Sequence, residues 1–164
     1  MIIAIISDTH ENAENTKKAL EIINEKKADM IIHCGDMCSP IMFKIIPEAF
    51  KGPIHCTFGN NDAEEFLFVK IMKTKYENVE FHKPAGELEL DGKKIAFTHY
   101  PIFGEGLAHT GKYDLVAFGH THKKHEEKVG DTILINPGAL FGLDSPVSFA
   151  FYDTETNQIT FETI

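Results

Sequence analysis

The sequence predicts an α/β fold in which two β-sheets face each other and helices cover their outer sides. In the first half, short continuous apolar runs alternate with segments of helical periodicity, which is typical of parallel strands joined by crossover helices. In the second half, paired strand-like runs separated by turn residues predict β-hairpins. The 164 residues suit one domain and no linker-like tract divides them, so we expect a single domain over residues 1–164.

Three buried strands and three helices are predicted in the first half. The strands are the apolar runs Ile2 to Ile6, Met30 to Cys34 and Ile54 to Phe58. Because these runs show no polar alternation, both faces of each strand are expected to be covered. The helices are predicted over Asn15 to Lys27, Pro40 to Phe50 and Ala63 to Lys75. The first helix is amphipathic, and its apolar face consists of Thr16, Ala19, Leu20 and Ile23.

Three hairpins and one further strand are predicted in the second half. The first hairpin spans Glu87 to Phe97, where Asp91-Gly92 supplies the positive φ angles of a type I′ turn. The others are Lys128 to Ile135 and the pair Phe149 to Asp153 with Gln158 to Glu162, and the single apolar run is Leu115 to Phe118. A β-rich half after an α/β half predicts the second of the two facing sheets.

Charge and cysteine content disfavour several classes of function. The net charge of −9 opposes attraction to nucleic acid or to an anionic membrane, and all 16 basic residues are lysine, so no guanidinium can clamp phosphate. Cys34, Cys38 and Cys56 are expected to be reduced thiols rather than disulfide partners or metal ligands. No apolar run reaches the roughly 20 residues of a membrane span. The first residues also lack the basic region of a signal peptide, so a cytoplasmic location is expected.

Potential metal ligands follow one predicted strand after another. They are Asp8, His10, Asp36, Asn60, His99, His120 and His122. Because ligands bind outside the carboxyl ends of the strands in open α/β sheets, these side chains are expected to converge in one cleft. Carboxylate, imidazole and amide oxygen ligands without thiolate suit Mn²⁺, Ni²⁺, Fe²⁺, Co²⁺ or Zn²⁺.

Seven ligands exceed the needs of one ion, so the sequence predicts two divalent ions as cofactors, with Mn²⁺ as the leading candidate. Asp36, in the middle of the set, is placed to bridge two ions roughly 3.5–4 Å apart. Such a pair lowers the pKa of a shared water, which gives hydroxide near neutral pH, and neutralises phosphate charge during in-line displacement. This chemistry replaces the missing arginines and predicts hydrolysis of a small phosphate ester.

The order of these residues resembles the calcineurin-like metallophosphoesterases, and especially their small bacterial and archaeal phosphodiesterases. The similarity lies in Ser7-Asp8-Thr9-His10, Gly35-Asp36, Gly59-Asn60-Asn61-Asp62, His99 and Gly119-His120-Thr121-His122. One such block is a weak signal, whereas five in the order of the family are specific. The resemblance implies a four-layered α/β/β/α sandwich with two facing mixed sheets. It also implies one ion held by Asp8, His10, Asp36 and His122, and another held by Asp36, Asn60, His99 and His120.

Asn61 departs from the pattern of the family, which usually has a histidine there as proton donor to the leaving group. A neutral amide cannot act as a general acid, whose contribution is about 10²- to 10⁴-fold. We therefore hypothesise a preference for phosphodiesters or activated aryl phosphates, with Asp36 and Asn61 as the catalytic residues and Asn61 hydrogen bonding to phosphate. Asn12 and His109 are further candidates for substrate contact, although Asn12 suits a helix cap equally well.

The sequence also predicts the positions of four other histidines and leaves two alternative functions to be weighed. His33 and His55 lie within apolar strands and are expected to be core histidines, whereas His82 and His125 are expected at the surface. A retromer subunit of this fold serves mainly as a scaffold, and related proteins are nucleases, so fold alone leaves these functions open. The complete ligand set favours an enzyme, the negative charge argues against a nuclease, and a homo-oligomer stays open.

Overall fold

The computed structural model describes residues 1–62, 64–143 and 145–164. The helices within these ranges are α1 (Ala13–Glu25), α2 (Pro40–Phe43), α3 (Ile45–Ala49), α4 (Glu65–Lys73) and α5 (Pro101–His109). The strands are β1 (Ile2–Ile6), β2 (Met30–His33), β3 (Ile54–Thr57), β4 (Val79–His82), β5 (Ala85–Leu90), β6 (Lys93–Thr98), β7 (Leu115–Ala117), β8 (Lys124–Val129), β9 (Thr132–Pro137), β10 (Ser148–Asp153) and β11 (Gln158–Thr163). None of these helices is long and apolar enough to cross a membrane.

The first sheet has six strands in the order β11-β10-β1-β2-β3-β4. Strands β1 to β4 run parallel, and β10 pairs antiparallel with β1. The three predicted apolar strands are therefore confirmed, and all of them lie inside the sheet with a partner on each side. Their carboxyl ends meet at the same edge of the sheet, which is the edge where the sequence places Asp8, Asp36 and Asn60.

Helix α1 buries the face that the sequence predicts, namely Thr16, Ala19, Leu20 and Ile23. The helix begins two residues before the predicted start because Asn12 caps it, accepting a hydrogen bond from Asn15 N at 3.0 Å. An Asn side chain at this position satisfies one of the amide groups that a helix leaves unpaired at its start.

The prediction of one continuous helix over Pro40 to Phe50 was wrong, because the segment forms α2 and α3. An unbroken helix would need an amide hydrogen at Pro47 to bond with the carbonyl of Phe43, and proline has none. Pro47 instead lies in the first turn of α3, where its missing donor costs nothing. Helix α4 is shorter than the predicted Ala63 to Lys75, and Ala63 lies outside the described residues.

The second sheet has five strands in the order β5-β6-β7-β9-β8. The predicted hairpins are confirmed as the antiparallel pairs β5–β6 and β8–β9, while the third pair, β10–β11, belongs to the first sheet. Strands β6, β7 and β9 run parallel to one another. Strand β4 and helix α5 are elements that the sequence analysis did not predict.

Three apolar clusters hold the fold together: one between the two sheets and one on the outer face of each sheet. The layer between the sheets includes Ile3, Ile5, Ile32, Ile95, Phe97, Ile135 and Tyr152. Full burial of one such aliphatic side chain contributes about 1.5–3 kcal/mol. The other face of the first sheet packs against α1 to α4, and α5 places Ala108 against Val116 and Leu134 on the outer face of the second sheet. The predicted four-layered α/β/β/α sandwich is thus confirmed.

Candidate metal centre

The seven predicted ligands lie at one edge of the sandwich, where parallel strands of both sheets end. Asp8 and His10 follow β1, Asp36 follows β2 and Asn60 follows β3. From the second sheet, His99 follows β6, and the pair His120 and His122 follows β7. The structure therefore brings residues more than a hundred positions apart in sequence into one cleft.

One group of four side chains converges around the first carboxylates. Asp8, His10, Asp36 and His122 each offer a ligand atom within 4.8 Å of the others. His122 Nε2 lies 3.3 Å from both Asp8 Oδ1 and His10 Nε2. His10 Nε2 is also 3.7 Å from Asp36 Oδ2. These four residues match one of the two ligand sets that the family resemblance implies.

A second group converges on the amide oxygen of Asn60. Asn60 Oδ1 lies 3.0 Å from His99 Nε2 and 2.8 Å from His120 Nδ1, and these two nitrogens are 3.3 Å apart. His99 Nε2 is 3.5 Å from Asp36 Oδ1. The other Asp36 oxygen faces the first group, so this single carboxylate lies between the two sets.

The donor set fits divalent cations. In both groups, imidazole nitrogens face each other or a carboxylate oxygen, and a neutral imidazole has only one N–H to share. Asp8 is fully buried, and its Oδ1 accepts no hydrogen bond of acceptable geometry. The imidazole of His122 faces this buried carboxylate oxygen at 3.3 Å, and a bound cation would further offset the cost of burying its charge. The first group therefore suits a divalent cation, and Asp36 lies between it and the second group.

The backbone at these ligands adopts an uncommon conformation. Asp8, His10, Asp36, His120 and His122 all have φ between 43° and 70°, the left-handed region. Residues with a side chain seldom occupy this region, although Asp and His do so more readily than most. Such conformations cluster at functional sites, where the surrounding structure maintains them. Five of the seven candidate ligands are therefore placed by tight turns at the strand ends.

Comparison with known proteins assigns the family. Residues 1–157 match the sequence model of the calcineurin-like phosphoesterase superfamily domain. The chain belongs to the calcineurin-like phosphoesterase superfamily. The resemblance seen in the sequence is confirmed, and with it the enzyme class of this superfamily, metal-dependent hydrolysis of phosphoric ester bonds.

The chain is similar in sequence and structure to archaeal phosphodiesterases, and it shares its fold with a eukaryotic protein. Phosphodiesterase MJ0936 of Methanocaldococcus jannaschii is 35% identical over an alignment 164 residues long, gaps included, that covers 96% of each chain. The solved structure of an archaeal phosphodiesterase is 34% identical and superposes with a TM-score of 0.92 over 100% of both chains. Vps29 of Entamoeba histolytica in complex with Zn²⁺ shares the fold, with 16% identity and a TM-score of 0.63 over 100% of this chain and 98% of that chain.

Asp62 organises the loops that carry the candidate ligands, a role that the sequence analysis missed. Its carboxylate accepts hydrogen bonds from four backbone amides, those of Asp36, Met37, Cys38 and Gly59, at 2.6–3.1 Å. Asp62 thus fixes the loop after β2 against the loop after β3. Asp62 stands in the block Gly59-Asn60-Asn61-Asp62, so its position near the site could be predicted from the sequence. Its role could not, because its hydrogen-bond partners are backbone amides, which every residue type except proline has.

Asp62→Asn is expected to weaken metal binding about 10- to 100-fold, the usual cost of removing a group that orients metal ligands. An amide keeps one acceptor oxygen and turns an NH₂ group towards amides that need an acceptor. Titration of metal-free protein with Mn²⁺, followed by calorimetry, measures the change. Asp131→Asn, in the exposed turn between β8 and β9, is the matched control. Equal affinities of the two variants would show that Asp62 does not support the centre.

Two glycines of the superfamily blocks let the loops approach closely. A Cβ atom on Gly59 would overlap Asp36 Oδ1, and a Cβ atom on Gly119 would overlap Ser7 Oγ. Ser7 Oγ in turn donates a hydrogen bond to Asp8 Oδ2 at 2.6 Å. These positions therefore permit the carboxylates of Asp8 and Asp36 to sit directly beside the neighbouring loops.

Aromatic rings border both groups of ligands, which the sequence analysis did not foresee. The ring of Phe141 lies 4.4 Å from the imidazole of His10. The ring of Tyr100 lies 5.0 Å from His99 and 5.6 Å from His120, measured between centroids. These apolar surfaces restrict the rotation of the histidines and form part of the cleft wall.

The three candidates for substrate contact differ in position. Asn61 lies at the centre, donating to Asp36 from its backbone amide at 2.8 Å and from Nδ2 at 2.7 Å. Asn12 caps α1 and donates from Nδ2 to the carbonyl of Phe141 at 2.7 Å. His109 is exposed at the end of α5, with Nδ1 2.8 Å from Glu105 O. No contact among the described residues joins His109 to the candidate ligands.

The cysteines and His33 occupy the surroundings of the centre. All three cysteines are free, as predicted, and burial raises the pKa of the Cys34 and Cys56 thiols. Cys38 Sγ lies 3.5 Å from His10 Nδ1, and burial followed by nearby Asp62 raises the pKa of this thiol to about 11. His33 is a core histidine as predicted, and burial lowers its pKa to about 3, so it stays neutral.

Proposed function

We propose that this protein is a phosphodiesterase that holds two divalent metal ions, with Mn²⁺ preferred, and hydrolyses small phosphate esters with good leaving groups. The proposed ligands are Asp8, His10, Asp36 and His122 for one ion, and Asp36, Asn60, His99 and His120 for the other. The observation that carries the proposal is the position of Asp36, whose two carboxylate oxygens face two separate groups of donors. When bound, the ions supply a water of lowered pKa and positive charge for the phosphate oxygens.

The residues of the chain orient both the centre and the substrate in this proposal. Asp36 sets the spacing of the two ligand groups, and Asp62 holds the loop that presents it. Asn61 is exposed beside Asp36, so its amide can donate a hydrogen bond to a phosphate oxygen of the substrate. Because an amide has no proton to give to a leaving group, esters whose leaving groups depart as stable anions suit this site.

The exposure of the centre supports small substrates and broad tolerance. Asn60, Asn61 and His120 are exposed, so the cleft opens directly to water on the side of the second ligand group. A net charge of −9 and the lack of arginine oppose long polyanions, which argues against a nuclease.

A non-catalytic scaffold is the second candidate, because Vps29 shares this fold. The presence of all seven donors in one cleft favours the enzyme. Metal analysis after purification, with hydrolysis assays before and after chelation, separates the two functions. Absence of bound metal together with absence of Mn²⁺-stimulated hydrolysis would favour the scaffold.

Bis-p-nitrophenyl phosphate and a sugar phosphate test the proposed substrate class. With Mn²⁺-loaded protein, the diester is expected to have a kcat/KM at least about 10²-fold above that of the sugar phosphate, because only the latter needs a general acid. Both reactions should stop when a chelator is added and return with Mn²⁺. Faster hydrolysis of the sugar phosphate would overturn the leaving-group preference while leaving the phosphoesterase itself intact.

A further inference from the structure

A second group of metal-binding side chains lies on the neighbouring strands β3 and β4. His55 of β3 stands opposite Glu80 of β4 in the register of the sheet, and His82 follows two residues later on the same face as Glu80. Each residue offers a ligand atom within 4.8 Å of the other two. None of the three belongs to the ligand groups that share Asp36.

The two imidazoles are spaced like ligands of one ion. His55 Nδ1 lies 3.0 Å from His82 Nε2, and the ring centroids are 5.3 Å apart. Two nitrogens bound at 2.0–2.1 Å to a tetrahedral Zn²⁺ stand roughly 3.3–3.4 Å apart, so a shift of a few tenths of an ångström accommodates the ion. A cation would replace the single hydrogen that the two nitrogens now share.

The group of His55, Glu80 and His82 packs against the second sheet on one side and faces water on the other. The ring of His82 packs edge-on against Phe97 of the second sheet, at 5.2 Å between centroids. His55 and His82 are half-buried, which corrects the predictions of a core position for His55 and a surface position for His82, whereas Glu80 is exposed. Three ligands from the protein and one side open to water match a four-coordinate ion that keeps a water.

The charges around this group permit a cation. Lys73 lies nearby, but its Nζ donates a hydrogen bond to the carbonyl of Val79 at 3.1 Å. Burial lowers the pKa of both imidazoles, so the neutral form that binds metals prevails near pH 7. Glu80 supplies the negative charge that balances an incoming ion.

We propose that His55, Glu80 and His82 form an additional metal site, separate from the phosphoesterase centre, that takes a borderline divalent ion such as Zn²⁺, Ni²⁺ or Cu²⁺. Two imidazoles and one carboxylate suit these ions better than Mg²⁺ or Ca²⁺. The ion joins the edge strand β4 to β3, the strand that leads into Asn60 and Asn61. Its role is to fix the edge of the first sheet, and the hydrolytic reaction does not require it.

Metal counting on the intact protein tests this site. Metal-free protein is loaded with Zn²⁺, dialysed and analysed by mass spectrometry, alongside His82→Gln and the control His125→Gln, an exposed histidine 3.4 Å from Glu127. We expect His82→Gln to hold one ion fewer per chain than wild type, and His125→Gln to match wild type. This difference of one does not depend on how many ions the phosphoesterase centre holds. Equal counts for wild type and His82→Gln would overturn the proposal.

Imidazole NMR signals test the same site in wild-type protein, without relying on a variant that folds. Titration with Zn²⁺ beyond saturation of hydrolytic activity is expected to shift the ring signals of His55 and His82 while those of His109 and His125 stay in place. Unchanged signals of His55 and His82 throughout the titration would contradict the site. A fall in the hydrolysis of bis-p-nitrophenyl phosphate by His82→Gln at saturating Mn²⁺ would contradict its independence from catalysis.

Discussion

Asp36→Asn is expected to lower kcat/KM for bis-p-nitrophenyl phosphate by roughly 10³-fold or more, because metal-ion stabilisation of the transition state contributes several kcal/mol. Asp36 is almost fully buried, and its two oxygens face the two ligand groups at 3.5 and 3.7 Å. An amide keeps the shape but loses the charge, and its NH₂ group would point at one set of donors. Both the affinity for metal and the coupling between the ions should fall.

Metal content measured beside steady-state kinetics distinguishes this effect from simple unfolding. The Asp36→Asn protein should keep its circular dichroism spectrum while it retains fewer Mn²⁺ ions per chain than wild type. Asp131→Asn, a substitution of the same kind in an exposed turn, should change neither quantity. Wild-type metal content and activity in Asp36→Asn would show that this carboxylate does not bridge the centre.

Asn61→His is expected to raise kcat/KM for alkyl phosphomonoesters by about 10²- to 10⁴-fold, the usual contribution of a general acid. Asn61 is exposed beside Asp36, so an imidazole there would face a substrate held at the proposed metal centre. The gain should be smaller for p-nitrophenyl esters, whose leaving groups need no proton. Because the imidazole must be protonated to act, the gain should fade as pH rises above the ordinary histidine pKa of about 6.5.

Asn61→Gln is the matched control, since it changes side-chain length and keeps an amide. It should lose activity on both substrate classes without a change in their ratio. Steady-state rates on a sugar phosphate and on bis-p-nitrophenyl phosphate, recorded across pH, measure the ratio. If Asn61→His leaves the ratio where Asn61→Gln leaves it, position 61 does not determine leaving-group preference.

The strands and the convergence of the ligands could be predicted from the sequence because both follow from simple patterns. Continuous apolar runs such as Ile2 to Ile6 specify buried strands, and parallel strands bring their carboxyl ends to one edge. The family resemblance added the pairing of ligands into two groups around Asp36. The apolar face of α1 could also be predicted, because Ala19 and Ile23 are spaced at the period of an α-helix.

Other features depend on tertiary context that local patterns do not carry. Helix α5 contains Gly104 and Gly106, each of which lowers helix propensity by about 1 kcal/mol, and its packing on the second sheet overrides this cost. Asp62 acts on backbone amides, which look alike in any sequence. The contact between His55 and His82 arises from the register of β3 against β4, and register is invisible until the strands are paired.

The left-handed backbone at five of the candidate ligand positions opposes backbone stability to metal binding. Glycine would adopt those conformations without strain, so a glycine at a position such as His10 would relieve the backbone there. Such substitutions also delete candidate ligands. Selection for heat resistance alone would therefore favour loss of the side chains in the cleft. Selection for catalytic turnover would keep the strained turns, and the rest of the sandwich must then be stable enough to offset their strain.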